Sequence, residues 1–341
     1  MYIDLLSLIF TRLNQEEQVQ LSQCSSFIFR SPLMNITKLL KAKRLTQGFL
    51  EKRSVVNEDH LWTGLQVLNI RGNYAIESIP INIADTLLIL DASFSEIGNA
   101  GLTALNKLQK LNVWNNLAVT IVPLACANTL KILIAASACG IDNAGLASLT
   151  KLKLLNIESN RKITTIPPTI INTLIRLDIS RSCGVDNIEG LTKLEKLDAW
   201  DNPKIKTIPL ALANTLKVLI ASGNCGIKQE GIAHLTRLKL LNVADNVKIK
   251  TVPLALADTL KILNASANYG FNIAHLRKLK ELYVSDNPKI KTVPLALADT
   301  LEILDASGDC GINDAGIAHL RKLKQLDARG NNAITILSFG L

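Results

Sequence analysis

The sequence predicts an α/β solenoid, in which a curved parallel β-sheet lines the concave face and short helical or extended segments form the convex face. A unit of about 22 residues recurs from Leu65 to the C-terminus. Each unit carries apolar residues at alternating positions, which is the pattern of a short buried strand. The chain of 341 residues is 48% hydrophobic but only 4% aromatic, and this composition suits a thin aliphatic stack better than a globular core.

The first kind of unit follows the pattern Leu-x-x-Leu-x-Leu-x-x-Asn, with another aliphatic residue or alanine at the third leucine in several copies. Its asparagines are Asn73, Asn116, Asn160, Asn202, Asn246, Asn287 and Asn331. Because a buried polar side chain is tolerated only when it is hydrogen-bonded, we expect each asparagine to turn inward and bond the loops of adjacent units. The following Ile-Pro or Val-Pro predicts an extended or short 3₁₀ convex segment, because proline lacks a backbone donor and disfavours helix in the residue before it.

Six units of a second kind alternate with these seven. They open at Leu87, Leu130, Leu174, Leu216, Leu260 and Leu301. Their convex segments, such as NCGIKQEGIAHLTRL, place apolar residues at helical spacing and predict a short α-helix. Because neighbouring strands lie roughly 4.8 Å apart, thirteen units would form a stack of about 60 Å.

This repeated pattern resembles the leucine-rich repeat family over about four-fifths of the chain. The resemblance implies a leucine-rich repeat solenoid of about thirteen repeats over residues 65–341. Such solenoids present an extended surface to a partner, so we expect a protein–protein interaction module and not an enzyme. The sequence offers no Ser-His-Asp or Cys-His pair outside the repeated positions, and no glycine-rich loop that would hold a phosphate.

Residues 1–44 do not follow the repeat and instead place apolar residues on one face of a predicted helix. Those residues are Leu5, Ile9, Phe10 and Leu13. A polar break and the string LSQCSSFIFR, from Leu21 to Arg30, come next. The segment resembles an F-box, although the Leu-Pro that usually precedes the first helix of that family is missing.

The F-box resemblance implies that the helical face binds the adaptor of a cullin-type ubiquitin ligase, while the concave face holds the protein to be ubiquitinated. In the alternative, the amino-terminal helices only cap the first repeat, whose apolar edge would otherwise be exposed. The chain would then be a binding scaffold or an inhibitor. Residues 45–64 are expected to form a linker or N-terminal cap in both cases.

A few large or charged side chains interrupt the small, acidic and amide residues predicted to line the concave face. Trp114 and Trp200 stand out because exposed tryptophans are frequent anchors of protein interfaces, although each could instead pack on neighbouring strands. The candidate partner-binding residues are Trp114, Trp200, Tyr283, Asp198, Arg176, Arg181 and Glu158.

The formal net charge of +9 comes largely from lysines beside the strands, as at Lys206 and Lys250. Rows of this kind are typical of a solvated rim, and no aromatic residues alternate with them, so nucleic acid is not an expected partner. Four of the six cysteines share one position of the second repeat kind. That position recurs about every 10 Å, beyond the ~7 Å limit of a disulfide, so we expect no disulfide, metal or cofactor.

No apolar run approaches the ~18 residues that a membrane span requires. The apolar stretch from Met1 to Phe10 lacks the basic start and the cleavage site of a secretory signal. We therefore expect an intracellular protein with no membrane partner. The sequence does not predict an oligomeric state.

Overall fold

The computed structural model describes residues 39–41 and 65–335, which form a single parallel β-sheet of fourteen three-residue strands in chain order. The strands are β1 Leu39–Lys41, β2 Val67–Asn69, β3 Ile89–Asp91, β4 Lys110–Asn112, β5 Ile132–Ile134, β6 Leu154–Asn156, β7 Arg176–Asp178, β8 Lys196–Asp198, β9 Val218–Ile220, β10 Leu240–Asn242, β11 Ile262–Asn264, β12 Glu281–Tyr283, β13 Ile303–Asp305 and β14 Gln325–Asp327. This arrangement confirms the predicted fold class.

The middle residue of each strand from β2 to β14 is a leucine that points into the core. Neighbouring strands pair in register, so that Leu197 lies beside Leu177 on one side and Leu219 on the other. All three are buried. Because successive side chains of a strand point to opposite faces, the first and third residues of each strand from β2 to β14 lie on the concave surface.

Short helical turns form the convex side. The α-helical turns are Ile81–Ala84, Asn143–Leu146, Pro168–Ile171 and Asp314–Ile317. The 3₁₀ turns are Asn99–Leu102, Leu124–Cys126, Leu210–Leu212, Gln229–Ile232, Leu254–Leu256 and Leu295–Leu297. None of the helices in residues 65–335 is long and apolar enough to cross a membrane.

The two kinds of repeat do not divide into α and 3₁₀ turns as cleanly as predicted. Two α-helical turns follow the Ile-Pro of first-kind repeats. Proline is tolerated at the start of a helix because the backbone N–H that it lacks would have no partner within the helix there. Of the six second-kind repeats, two have 3₁₀ turns instead of the predicted α-helix, and the two that open at Leu174 and Leu260 have no helical turn. The two α-helical turns of this kind are capped by Asp142 and Asn313, whose side chains accept a backbone N–H of the first turn, whereas the two 3₁₀ turns follow Gly98 and Lys228 and have no side-chain cap.

The sheet begins one strand earlier than the repeat pattern predicts. β1 lies within residues 1–44, which the sequence predicts to be helical, and pairs in parallel with β2. The pairing satisfies backbone groups that β2 would otherwise expose at the edge of the sheet. The predicted adaptor-binding residues Leu5, Ile9, Phe10 and Leu13 lie outside the described residues, so the F-box-like segment stays a prediction.

The asparagines of the first repeat kind are buried, and all of them after Asn73 donate to backbone carbonyls of the preceding repeat, as predicted. The Asn202 amide nitrogen donates to the Ile179 carbonyl at 2.7 Å, and its side-chain oxygen accepts from the Lys204 backbone N–H at 3.0 Å. Among second-kind repeats, Asn268 is also buried and donates to three carbonyls, whereas Asn224 is exposed. The asparagine ladder therefore extends beyond the alternate repeats on which it was predicted.

Candidate partner-binding site on the concave face

The concave floor two residues beyond the strands is lined mainly by small side chains, and Trp200 rises from it. Its neighbours in the adjacent repeats are Ser180 and Ser222, both buried, whereas Trp200 is 36% exposed. A large aromatic ring between two serines presents an apolar surface that solvent or a partner can reach.

Arg181 and Glu158 hold the ring of Trp200 in a connected cluster. The Arg181 guanidinium carbon lies 4.6 Å from the centre of the Trp200 ring, within the range of a cation–π interaction. The Arg181 Nε lies 3.0 Å from Glu158 Oε1. Three residues from three consecutive repeats are therefore joined, and the ring is presented in one orientation.

The backbone of Arg181 explains how its side chain reaches both neighbours. After each strand from β2 to β14 the chain makes a left-handed turn, and Arg181 has φ 55° at the position that Gly223 holds in a later repeat. The left-handed conformation costs a residue with a side chain roughly 1–2 kcal/mol. Arg181 adopts the left-handed conformation despite this conformational cost. Its side chain then lies at the rim of the concave face, between Glu158 and Trp200.

Two aspartates lie side by side at the base of this cluster. Asp178 and Asp198 pair in register at the ends of β7 and β8. Asp178 accepts hydrogen bonds from the Ser180 hydroxyl at 2.6 Å and from the Asn156 amide at 3.1 Å. Asp198 accepts one from the backbone N–H of Trp200 at 3.1 Å.

The environment of these carboxyl groups favours their protonated forms. Burial, with a further contribution from Asp178, raises the pKa of Asp198 to about 7. Burial also raises the pKa of Asp178, although the Ser180 hydrogen bonds oppose it. The pKa of Glu158 is raised by burial and by Asp178, against the effect of Arg181. A cationic group brought by a partner would stabilise the ionised carboxylates.

Arg176 lies on the same pair of strands and adds positive charge beside the acidic pair. It is in register with Lys196, and both residues lie on the concave face two positions before the aspartates. The structure thus places five of the seven candidate residues together over β6–β8 and the turns that follow: Trp200, Asp198, Arg176, Arg181 and Glu158.

Trp114 belongs to a second cluster, four strands away and so about 19 Å along the sheet. Its ring packs on Phe94 with 5.1 Å between centroids, and the Arg71 guanidinium lies 5.5 Å from the ring. The indole N–H donates to the Ser137 hydroxyl at 2.7 Å. Trp114 is therefore half-buried among its neighbours, and Trp200 is the more accessible of the two tryptophans.

The sequence analysis did not select Phe94. This residue occupies the left-handed position with φ 54°, where other repeats have Gly72, Asn115 or Asp201. A bulky aromatic residue in a position otherwise held by small or polar residues breaks the repeat, and that exception could have identified it. Tyr283, in contrast, lies four strands beyond Asp198 and donates its hydroxyl to Glu281 at 2.9 Å, apart from either cluster.

Comparison with solved structures identifies the fold as that of leucine-rich repeat proteins. An internalin (InlF) from Listeria monocytogenes superimposes with a TM-score of 0.57 at 20% identity, covering 83% of this chain and 89% of the internalin. A leucine-rich repeat protein from Leptospira interrogans gives a TM-score of 0.43 at 21% identity, covering 82% of this chain and 76% of that one. The mouse RP105/MD-1 complex gives 0.49 at 15% identity, covering 78% of this chain and 58% of that one.

No family model and no curated protein matches the sequence. The internalin likeness shows the leucine-rich repeat fold, and at this identity it shows the fold alone.

Proposed function

We propose that this protein is a binding module that holds a partner protein on its concave face, with Trp200 as the anchor. The supporting observation is the exposed Trp200 ring fixed by Arg181, which Glu158 holds in turn. A pre-oriented aromatic side chain loses little conformational freedom on binding, which favours affinity. The acidic pair beneath the ring suits a partner that places a lysine or arginine beside its apolar contact.

The test is to capture partners with the full chain, identify one by cross-linking, and measure its affinity by calorimetry. Trp200→Ala should weaken that affinity by at least about tenfold, because a desolvated interface tryptophan typically contributes about 2 kcal/mol or more. Far-UV circular dichroism should show an intact fold, with a slightly lower thermal midpoint because the contact between Trp200 and Arg181 is lost. Lys206→Ala, in the loop that leads to the convex side, is the control and should have no effect.

Binding that ignores Trp200→Ala but fades steeply with salt and with Lys206→Ala would contradict the proposal. Such a partner would be held by the lysine row and not by the concave face.

We further propose, as the narrower form of this function, a substrate receptor of a cullin-type ubiquitin ligase inside the cell. Residues 1–44 would bind the adaptor, residues 45–64 would link or cap, and residues 65–341 would hold the cargo. The support is the F-box-like string from Leu21 to Arg30, together with the Cys-Gly-Ile of the second-kind repeats, which resembles the cysteine-containing repeats that commonly follow F-boxes.

Purification of the full chain with its complexes from cells distinguishes this role from that of a scaffold or inhibitor. Adaptor and cullin should co-purify with the wild type and be lost with Phe10→Ala, while cargo capture persists. Cargo without adaptor or cullin would support the alternative, in which the amino-terminal residues only cap the repeats.

A further inference from the structure

The convex side carries a row of leucines that are far more exposed than is usual for this residue. Leu124, Leu210, Leu254 and Leu295 are 79%, 75%, 78% and 76% exposed, and each opens a 3₁₀ turn directly after a proline. Full burial of such a side chain would stabilise a protein by about 1.5–3 kcal/mol. Four repeats leave the leucine at this position exposed and do not obtain that stabilisation.

The position stays apolar in two more first-kind repeats, which have Ile81 and Pro168 there. Since these repeats alternate with the other kind, neighbouring members of the row lie about 10 Å apart. Side chains at that spacing form a line of separate projections and not a continuous groove that a folded partner could fill.

Lysines accompany the leucines in three consecutive first-kind repeats. Lys206, Lys250 and Lys291 are exposed and come four residues before the three leucines of those repeats, so the paired Cα atoms lie within about 14 Å. Another lysine comes two residues earlier in each case, at positions 204, 248 and 289. The acidic residues on this side include Glu230 and Asp314 in the intervening repeats, and Asp258 and Asp299 four residues after two of the leucines. Asp258 and Asp299 lie 3.5 and 3.4 Å from Arg277 and Arg321, so the lysines leave this side net positive.

Other exposed apolar side chains lie in the same stretch. Val247 is 53% exposed and Tyr269 is 54% exposed. The Lys250 ammonium group donates to the backbone carbonyl of Tyr269 at 2.8 Å, which places the lysine beside the loop that carries the tyrosine. Tyrosine with lysine and isolated aliphatic side chains is the composition found where proteins meet a membrane surface.

We propose that this convex side, from Lys204 to Leu297, binds the surface of an anionic lipid membrane. Leu210, Leu254 and Leu295 enter the boundary between headgroups and acyl chains, which is fluid and accepts separate projections at any spacing. The lysines pair with anionic headgroups outside that boundary. The sequence predicts no membrane partner because it lacks a membrane-spanning run. Binding to a membrane surface requires no such run, so the proposal differs from that prediction. The concave face points away and stays free for its own partner.

Co-sedimentation of the full chain with vesicles tests the proposal, using equal parts of phosphatidylcholine and phosphatidylserine against phosphatidylcholine alone. The chain should bind the anionic vesicles and release them at high salt. Replacing Leu210, Leu254 and Leu295 together by serine should weaken binding at least about tenfold, and so should glutamine at Lys206, Lys250 and Lys291. Because all six side chains are exposed, far-UV circular dichroism should be unchanged.

Leu124→Ser is the matched control for a single leucine. Leu124 is as exposed as Leu254, but Thr120 stands where Leu254 has its lysine. Leu254→Ser should therefore weaken vesicle binding more than Leu124→Ser.

Three results would overturn the proposal. The first is no binding to the anionic vesicles, and the second is binding that the triple leucine variant retains in full. The third is wild-type self-association, seen by analytical ultracentrifugation, that the triple leucine variant abolishes while vesicle binding persists. That result would make the leucine row an interface between copies of this chain.

Discussion

Replacing Asn202 by leucine tests whether the asparagine ladder stabilises the stack. Asn202 bonds the Ile179 carbonyl at 2.7 Å and the Lys204 N–H at 3.0 Å. Leucine has a similar shape but bonds neither group, and each buried group left without a partner costs about 1–3 kcal/mol. The added apolar burial offsets roughly 1.5–3 kcal/mol of that loss. We therefore expect the free energy of unfolding to fall by about 1–3 kcal/mol.

Urea unfolding followed by far-UV circular dichroism measures the loss. The control is Asn224→Leu at the equivalent position of the next repeat, where the asparagine is exposed. An exposed substitution of this kind usually changes stability by less than about 0.5 kcal/mol. If both variants unfold at the same urea concentration, the side-chain bonds of Asn202 do not stabilise the stack and the reasoning fails.

Two further predictions concern single residues. The folded-state pKa of Asp198 is raised to about 7, so the stability it contributes is present at low pH and is lost as the pH rises through about 7. Asp198→Asn should then melt at a higher temperature than the wild type at about pH 8, with the gap narrowing as the pH falls from about 7 and closing only below the ordinary pKa of 3.8; parallel pH profiles would contradict this. Gly226→Ala should lower the urea midpoint strongly, because an added Cβ would collide with the carbonyl oxygens of Pro203 and Ile205 in the preceding repeat. Gly72→Ala, which meets nothing within 4 Å but has φ 66°, should cost only about 1–2 kcal/mol, and equal losses would refute the collision.

The sheet and its core could be predicted because one short pattern determines them. Leu197 is buried between Leu177 and Leu219, and the same leucine position recurs in each repeat of the sequence. Burial of Asn202 followed from the same repetition, since a polar residue kept among leucines requires partners. The type of convex turn was predicted less well, because three or four residues beside a proline or glycine do not separate α from 3₁₀ geometry.

The candidate site could be predicted as a set of residues but not as an arrangement. Arg181 lies 23 residues from Glu158 and 19 from Trp200 in the sequence. Their contact depends on a left-handed turn at Arg181, and the sequence pattern does not encode that turn for an arginine. The elevated pKa of Asp198 depends on burial and then on Asp178 in the adjacent strand, so predicting it required the register of β7 and β8. Phe94, in contrast, could have been found from the sequence, because a bulky aromatic residue breaks the repeat at its position.

The two proposed surfaces differ in a way that bears on their ligands. Core positions are held by packing, so differences between repeats accumulate on outward positions. The cluster of Trp200, Arg181 and Glu158 occurs once along the sheet, and a feature that occurs once suits a partner with one complementary feature. The pairing of an exposed lysine with an exposed leucine occurs three times at a fixed spacing, at residues 206 and 210, 250 and 254, and 291 and 295. Repeated contacts of equal chemistry suit a ligand that is uniform along its length, and a lipid surface is uniform where a folded protein surface is not. Replacing one leucine should therefore weaken vesicle binding only in part, because the other two leucines still contact the membrane. Replacing Trp200, in contrast, removes the anchor of its site.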